Sequence, residues 1–259
     1  MNLRRTALTA ALLSLGCRPP EAPEDLDLLS SYLFSHVWDD DSTNVEVGLD
    51  NLRVWLEKNL EETEDGFEVQ VLDQEQVNKL DNCKRDVSGL VGAAVATRRD
   101  YTVEEMVQSN ITVPAGDIWD DVISSRRLDF TPERDCYLDG DCERIQFRTL
   151  TEARYAGIMT ARSKNGIQYR WVDTEHGTAV VYRTWLQKPA VLSMDGVHID
   201  TSFYLSAAMP WDNGTIRLQA LWAATELESL PVPASFALAT AIKTMRNNDS
   251  DLADYIAGD

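Results

Sequence analysis

Apolar and polar residues alternate with period two through most of residues 144–227. Ile145, Phe147, Thr149 and Thr151 interleave with Arg144, Gln146, Arg148 and Leu150. Ile167, Tyr169 and Trp171 interleave with Gln168, Arg170 and Val172. Further on, alternate positions from Val197 to Met209, and from Ile216 to Ala224, are again apolar or small. Period two places successive side chains on opposite faces of a strand, so each segment reads as a strand with one buried and one wetted face. Asn165-Gly166, Glu175-His176-Gly177 and Asn213-Gly214 separate these segments. Asn and Gly tolerate positive φ, so Asn-Gly between alternating arms predicts a tight hairpin. Together they predict an antiparallel meander. Its apolar faces mix large aromatics with Ala and Thr, which suits a strongly curved sheet wrapped around a helix. Residues 233–246 supply that helix, with Phe236, Leu238, Ala239, Ile242 and Met245 on the packing side and Pro231 and Pro233 at its start.

The first half of the chain carries a different period. Leu28, Leu29, Tyr32, Leu33, His36 and Val37 recur at helical spacing, as do Val45, Leu49, Leu52, Trp55, Leu56 and Leu60. They predict helices over 26–38 and 44–60. Residues 67–72 alternate as a short strand, and Asp73 opens a helix reaching Leu80. The small apolar run 87–97 suits a buried helix or a strand, with the helix preferred. Thr102 and Glu105 have capping-box spacing and predict a helix from there to residue 108. Residues 124–130 read as a strand. The organisation is an N-terminal helical segment, 26–66, added as a layer to an α+β body, 67–259.

Charge narrows the partners. The 259 residues carry 24 Lys and Arg against 43 Asp and Glu, a formal charge of −19. Nucleic-acid affinity comes from neutralising phosphates with basic side chains, so this balance excludes nucleic acid as the expected partner. It also disfavours adsorption of the folded body onto anionic lipid.

The leader points to export. Arg4 and Arg5 form a basic start, and residues 6–15 form an apolar stretch of signal-peptide length. Leu13-Ser14-Leu15-Gly16-Cys17 resembles the lipobox of bacterial lipoproteins. The resemblance implies that residues 1–16 are removed, that Cys17 is lipidated, and that residues 17–25 form the anchor and its linker. Arg18 follows the cysteine where an Asp would retain such a protein at the inner membrane, so the implied address is the outer membrane, facing the periplasm. The pattern departs from the family in having Ser14 and Leu15 where Leu and a small residue are preferred. Ser14 and Gly16 also suit ordinary signal peptidase, which would make the protein secreted.

Four cysteines fit an exported chain: Cys17, Cys83, Cys136 and Cys142. Cys136 and Cys142 bracket Asp139-Gly140, a turn, and predict a local disulfide. With Cys17 lipidated, Cys83 is left as a free thiol. With ordinary cleavage, Cys17 and Cys83 can pair instead.

Catalytic signatures are missing from the sequence. His36, His176 and His198 show no metal spacing, and there is no nucleophile elbow, phosphate-cradling loop or dinucleotide fingerprint. The reading is therefore non-enzymatic, with no cofactor and no metal. The element order over residues 67–256, a long antiparallel meander closed by a C-terminal helix, resembles the helix-grip fold. That fold includes the START-related lipid-transfer, polyketide-cyclase-like and pollen-allergen-like proteins. The resemblance implies an apolar ligand between sheet and helix. Tyr169, Trp171, Trp185, Phe203, Trp222 and Phe236 are the expected lining, and Arg183, mid-strand, would hold an anionic head if it points inward. The preferred alternative is a guanidinium at the sheet edge or stacked on an aromatic ring. Two functions follow: a cell-envelope lipoprotein binding a lipid or other apolar ligand, or a structural or interaction lipoprotein whose core is fully packed.

Overall fold

The computed structural model describes residues 21–83, 85–155, 159–193, 197–227 and 234–258. Cys17, the leader and residues 228–233 lie outside them.

Two helices come first, α1 (Leu26–His36) and α2 (Thr43–Thr63), as the helical spacing predicts. The strand β1 is shorter than expected (Phe67–Glu68), and the helix α3 (Gln74–Asn78) starts on an Asp73 capping box. Then come β2 (Val91–Arg99), α4 (Val103–Thr112), α5 (Ala115–Ile118), β3 (Val122–Thr131) and α6 (Arg134–Leu138). The meander runs β4 (Arg144–Tyr155), β5 (Met159–Thr174), β6 (Gly177–Leu186), β7 (Val191–Leu192), β8 (Val197–Trp211) and β9 (Gly214–Leu227). The long helix α7 (Ala234–Ala257) closes the chain. Thr102 and Glu105 cap α4 reciprocally, as their spacing predicts.

All described strand pairs are antiparallel, in the order β1-β2-β9-β8-β6-β5-β4-β3, with β7 beside β5. The class is α+β: an open sheet with a C-terminal helix on one face and an N-terminal helical layer on the other. On the N-terminal side, Leu33, Phe34, Leu49 and Leu52 pack on Trp185, Phe203, Leu218 and Trp222. The Phe34 ring meets Phe203 edge-on at 5.9 Å and Trp222 at 5.5 Å. On the other side, Met245 of α7 packs on Ala93 and Val95, and Leu252 joins Tyr101, Met106 and Tyr182.

Three expectations are corrected. Residues 91–99 form a strand, β2, next to the edge of the sheet, rather than a helix. Ala93 and Val95 lie under α7 while Ala94 and Ala96 face the N-terminal layer, so the strand is buried on both faces and shows no alternation. Asn165-Gly166 is not a turn but the middle of the sixteen-residue β5, where Gly166 pairs with Arg148 and Trp185. A Cβ on Gly166 would sit 2.3 Å from the Trp185 indole, so the glycine serves close packing rather than positive φ. The helix α7, whose expected start at Pro231 and Pro233 lies outside the described residues, continues well past Arg246 to Ala257. The other two turns stand: Glu175-His176 joins β5 to β6, and Asp212-Asn213, with Asp212 at φ 50, joins β8 to β9.

Candidate ligand cavity between the sheet and the C-terminal helix

Seven residues are expected to line one pocket, and the sheet divides them. Trp185, Phe203 and Trp222 are buried in the close-packed core beneath α1 and α2. Their indole N–H groups are taken up by backbone, Trp185 donating to Asp81 O at 2.9 Å and Trp222 to Gln70 O at 2.9 Å. Arg183 lies on that same face and does point inward. It donates to Phe34 O at 2.6 Å and to the Gln168 side chain at 2.8 Å, and stacks over the Phe34 ring at 5.5 Å. Burial pushes its pKa down to about 10 against the pull of Asp39 and Asp81. The groups it bonds are carbonyls, so Arg183 caps the end of α1 from the sheet.

Tyr169 and Trp171 lie on the opposite face with α7. Trp171 stacks on Tyr137 at 5.4 Å and donates to Tyr137 O at 3.1 Å. It borders an open groove of about 610 Å³ rimmed by Glu46, Glu104, Asp139 and Glu143. Phe236, expected to be gripped by the sheet, is 65% exposed. It stands nine positions before Met245, half a turn out of phase on a 3.6-residue helix, so the face that buries Met245 turns Phe236 to solvent.

Tyr169 alone of the seven lines a cavity of about 420 Å³ between the sheet and α7. Phe147, Ile167, Tyr182 and Tyr204 supply much of the remaining floor, on β4, β5, β6 and β8. Period two brings these side chains to one face, and the antiparallel register sets Tyr169 opposite Tyr182, their rings stacked at 4.3 Å. Asn110 of α4, Ala115 of α5, Arg127 of β3 and Thr244 and Asn248 of α7 complete the wall. Trp119 donates its indole N–H to Asn248 O at 3.1 Å, tying the α5 side of the rim to α7.

The inner end of the cavity is closed by a charged network absent from the sequence-based expectation. Arg217 of β9 is buried and donates to Asp249 Oδ1 at 2.9 Å, Ser206 Oγ at 2.9 Å, and the hydroxyls of Tyr182 at 2.7 Å and Tyr204 at 3.0 Å. Asp249, fully buried on α7, also accepts from Thr97, Arg99 and Tyr101. Burial raises the Asp249 carboxyl, but Arg217, Arg99 and the Thr97 hydroxyl outweigh it and hold it below the ordinary carboxylate value. Burial likewise opposes the charge of Arg217, and the tyrosines and Asp249 around it more than restore it. This network pins α7 to β2 and β9. A signal for it exists in the sequence: Asp249 falls on the apolar stripe of α7, where a lone carboxylate demands a cation.

At the outer end, Arg127 donates through Nη2 to Asn110 O and Val113 O, both at 2.7 Å, closing the last turn of α4. Asn110 is buried, and neither atom of its carboxamide has a hydrogen-bond partner among the described residues. Among the described residues no set of His, Cys, Asp or Glu could hold a metal ion. Cys136 and Cys142 form the expected disulfide, Cα to Cα 5.3 Å, and Cys83 is a buried free thiol.

No family model and no curated protein matches the chain. Its structure is similar to that of a START superfamily protein from Mycobacterium smegmatis, at 13% identity and a TM-score of 0.43, over 64% of this chain and 97% of that one. It is also similar to the human StarD13 lipid transfer and protein localization domain, at 11% identity and a TM-score of 0.39, over 78% and 94% of the two chains. Human STARD10 matches at 11% identity and a TM-score of 0.37, over 73% and 82%.

Proposed function

We propose that this protein is a non-enzymatic, lipid-anchored protein of the bacterial cell envelope that binds a lipid or other apolar ligand between its sheet and its C-terminal helix. The observation that carries the binding part is the cavity of about 420 Å³ floored by Phe147, Ile167, Tyr169, Tyr182 and Tyr204. Close-packed interiors hold few voids larger than a water molecule, whereas small-molecule sites occupy about 300–1,000 Å³ and are mainly apolar with a few polar groups. The far face of the sheet is filled by α1 and α2, and the space with an aromatic floor lies on the α7 face. The anchoring part rests on the leader ending at Cys17, with the outer membrane as the address and secretion as the second possibility.

Native mass spectrometry of the protein purified from its producing cells, followed by organic extraction, tests the binding reading. Retention of a small apolar species, lost on extraction, is the expected result. A bare polypeptide mass that takes up no apolar probe would leave the structural or interaction lipoprotein in its place.

A further inference from the structure

At the outer end of the cavity a buried carboxamide lacks the partners that burial demands, and two further donors stand near it. The carboxamide of Asn110, on a residue 6% exposed, has neither donor nor acceptor satisfied. A buried amide left unpaired is costly, and such groups are rare in folded proteins. The neighbouring Arg127 spends Nη2 on two carbonyls, and among the described residues no carboxylate forms an ion pair with it. On the floor beside them, the hydroxyl of Tyr169 makes no hydrogen bond among the described residues. The other buried cation of the cavity, Arg217, is by contrast matched by Asp249 and saturated. In a chain of net charge −19, an unmatched half-buried guanidinium at a cavity wall is a specific excess of positive charge.

We infer that this corner holds the carboxylate of an amphiphilic acid, its hydrocarbon part lying against Phe147, Ile167 and Tyr204. The inference rests on the reading that the cavity takes an apolar ligand, and names the head group that ligand carries. The corner is rich in donors: the free N–H groups of Arg127, the Asn110 amide and the Tyr169 hydroxyl. That set calls for an acceptor-only, singly charged head. A guanidinium matches a carboxylate in charge and in planar geometry. Rotation of the Asn110 side chain about its soft terminal torsion turns the amide N–H toward the head.

Calorimetric titration of the full-length protein with decanoate and with decanol, at neutral pH, tests the assignment. The wild type should bind decanoate roughly tenfold to a hundredfold more tightly than decanol, the range of a charge-assisted hydrogen bond. Arg127→Gln should abolish that preference. Asn110→Leu should weaken decanoate about tenfold while raising the melting temperature, because it removes an unpaired buried amide. Equal affinity for acid and alcohol in the wild type would overturn the head-group assignment and keep the cavity reading. A preference undiminished in folded Arg127→Gln, or in Asn110→Leu should the arginine variant not fold, would overturn it as well. Binding of neither compound would remove the cavity reading along with it.

Discussion

Asp249 of α7 and Arg217 of β9 face each other at 2.9 Å with no exposure to solvent beyond 3% on either side chain. An ion pair this deep is held by its hydrogen bonds as much as by charge, because burial penalises both ions. Removing one partner leaves the other stranded. Asp249→Asn should destabilise the protein by about 3–5 kcal/mol, read from urea unfolding. The pair also sets an acid limit. The folded carboxyl titrates below its ordinary value, so its contribution is complete above about pH 4 and is lost as pH falls through the depressed folded value. The stability of the wild type should fall along that acid limb, and Asp249→Asn should flatten it. A limb of equal steepness in both proteins would place the titration elsewhere.

The two phenylalanines named Phe34 and Phe236 should behave oppositely. Phe34 is enclosed by Phe203, Trp222 and the Arg183 guanidinium, so Phe34→Ala should cost about 3–5 kcal/mol. Phe236 projects from the outer side of α7, so Phe236→Ala should change stability by no more than about 0.5 kcal/mol. Equilibrium unfolding of both variants decides this. A large loss from Phe236→Ala would mean that another surface covers it in solution.

Gly166→Ala pushes a methyl group into the Trp185 indole. The strand is buried there, so overpacking should cost about 1–3 kcal/mol. Trp185→Phe on its own loses core volume, yet in the double variant the two changes should offset in part. Strictly additive losses in a double-mutant cycle would separate the two positions energetically.

Cys17 should carry an acyl chain. Metabolic labelling with a palmitate analogue should mark the wild type, and Cys17→Ser should stay unlabelled in the soluble fraction. Equal labelling of the two would discard the lipobox reading and leave secretion by ordinary cleavage.

The order of elements was legible because period two and period 3.6 are written plainly from residue 144 to 227 and from 26 to 60. The capping pair Thr102 and Glu105 was legible because its chemistry is local. Failures came where a distant residue decides. Asn165-Gly166 carries hairpin chemistry, but Trp185 on β6 needs the missing Cβ and the strand runs straight through. The run around Ala93–Ala96 lacks alternation because helices cover both its faces. The ligand lining was gathered from aromatic positions without knowing which face each strand would turn toward α7. Alternation fixes faces within a strand, and only pairing between strands joins those faces, so Tyr169 was placed with Trp185 although the sheet separates them. Arg217 carries no local signal of burial, because its partner Asp249 lies some thirty positions away.

Three arginines from adjacent strands, Arg144, Arg170 and Arg183, donate to the backbone carbonyls of Phe34, Val37 and Asp39 at and just beyond the end of α1. Those carbonyls form the negative end of a helix dipole, so the three cations rivet the helix to the sheet. A force applied upstream of Leu26 therefore enters β4, β5 and β6 together. The load path runs along the face of the sheet that α1 and α2 cover, through the same strands whose other face floors the cavity, while α7 itself stays off it. A pull on the N-terminus would therefore be felt first in the floor of the cavity, and only through that floor in the helix above it.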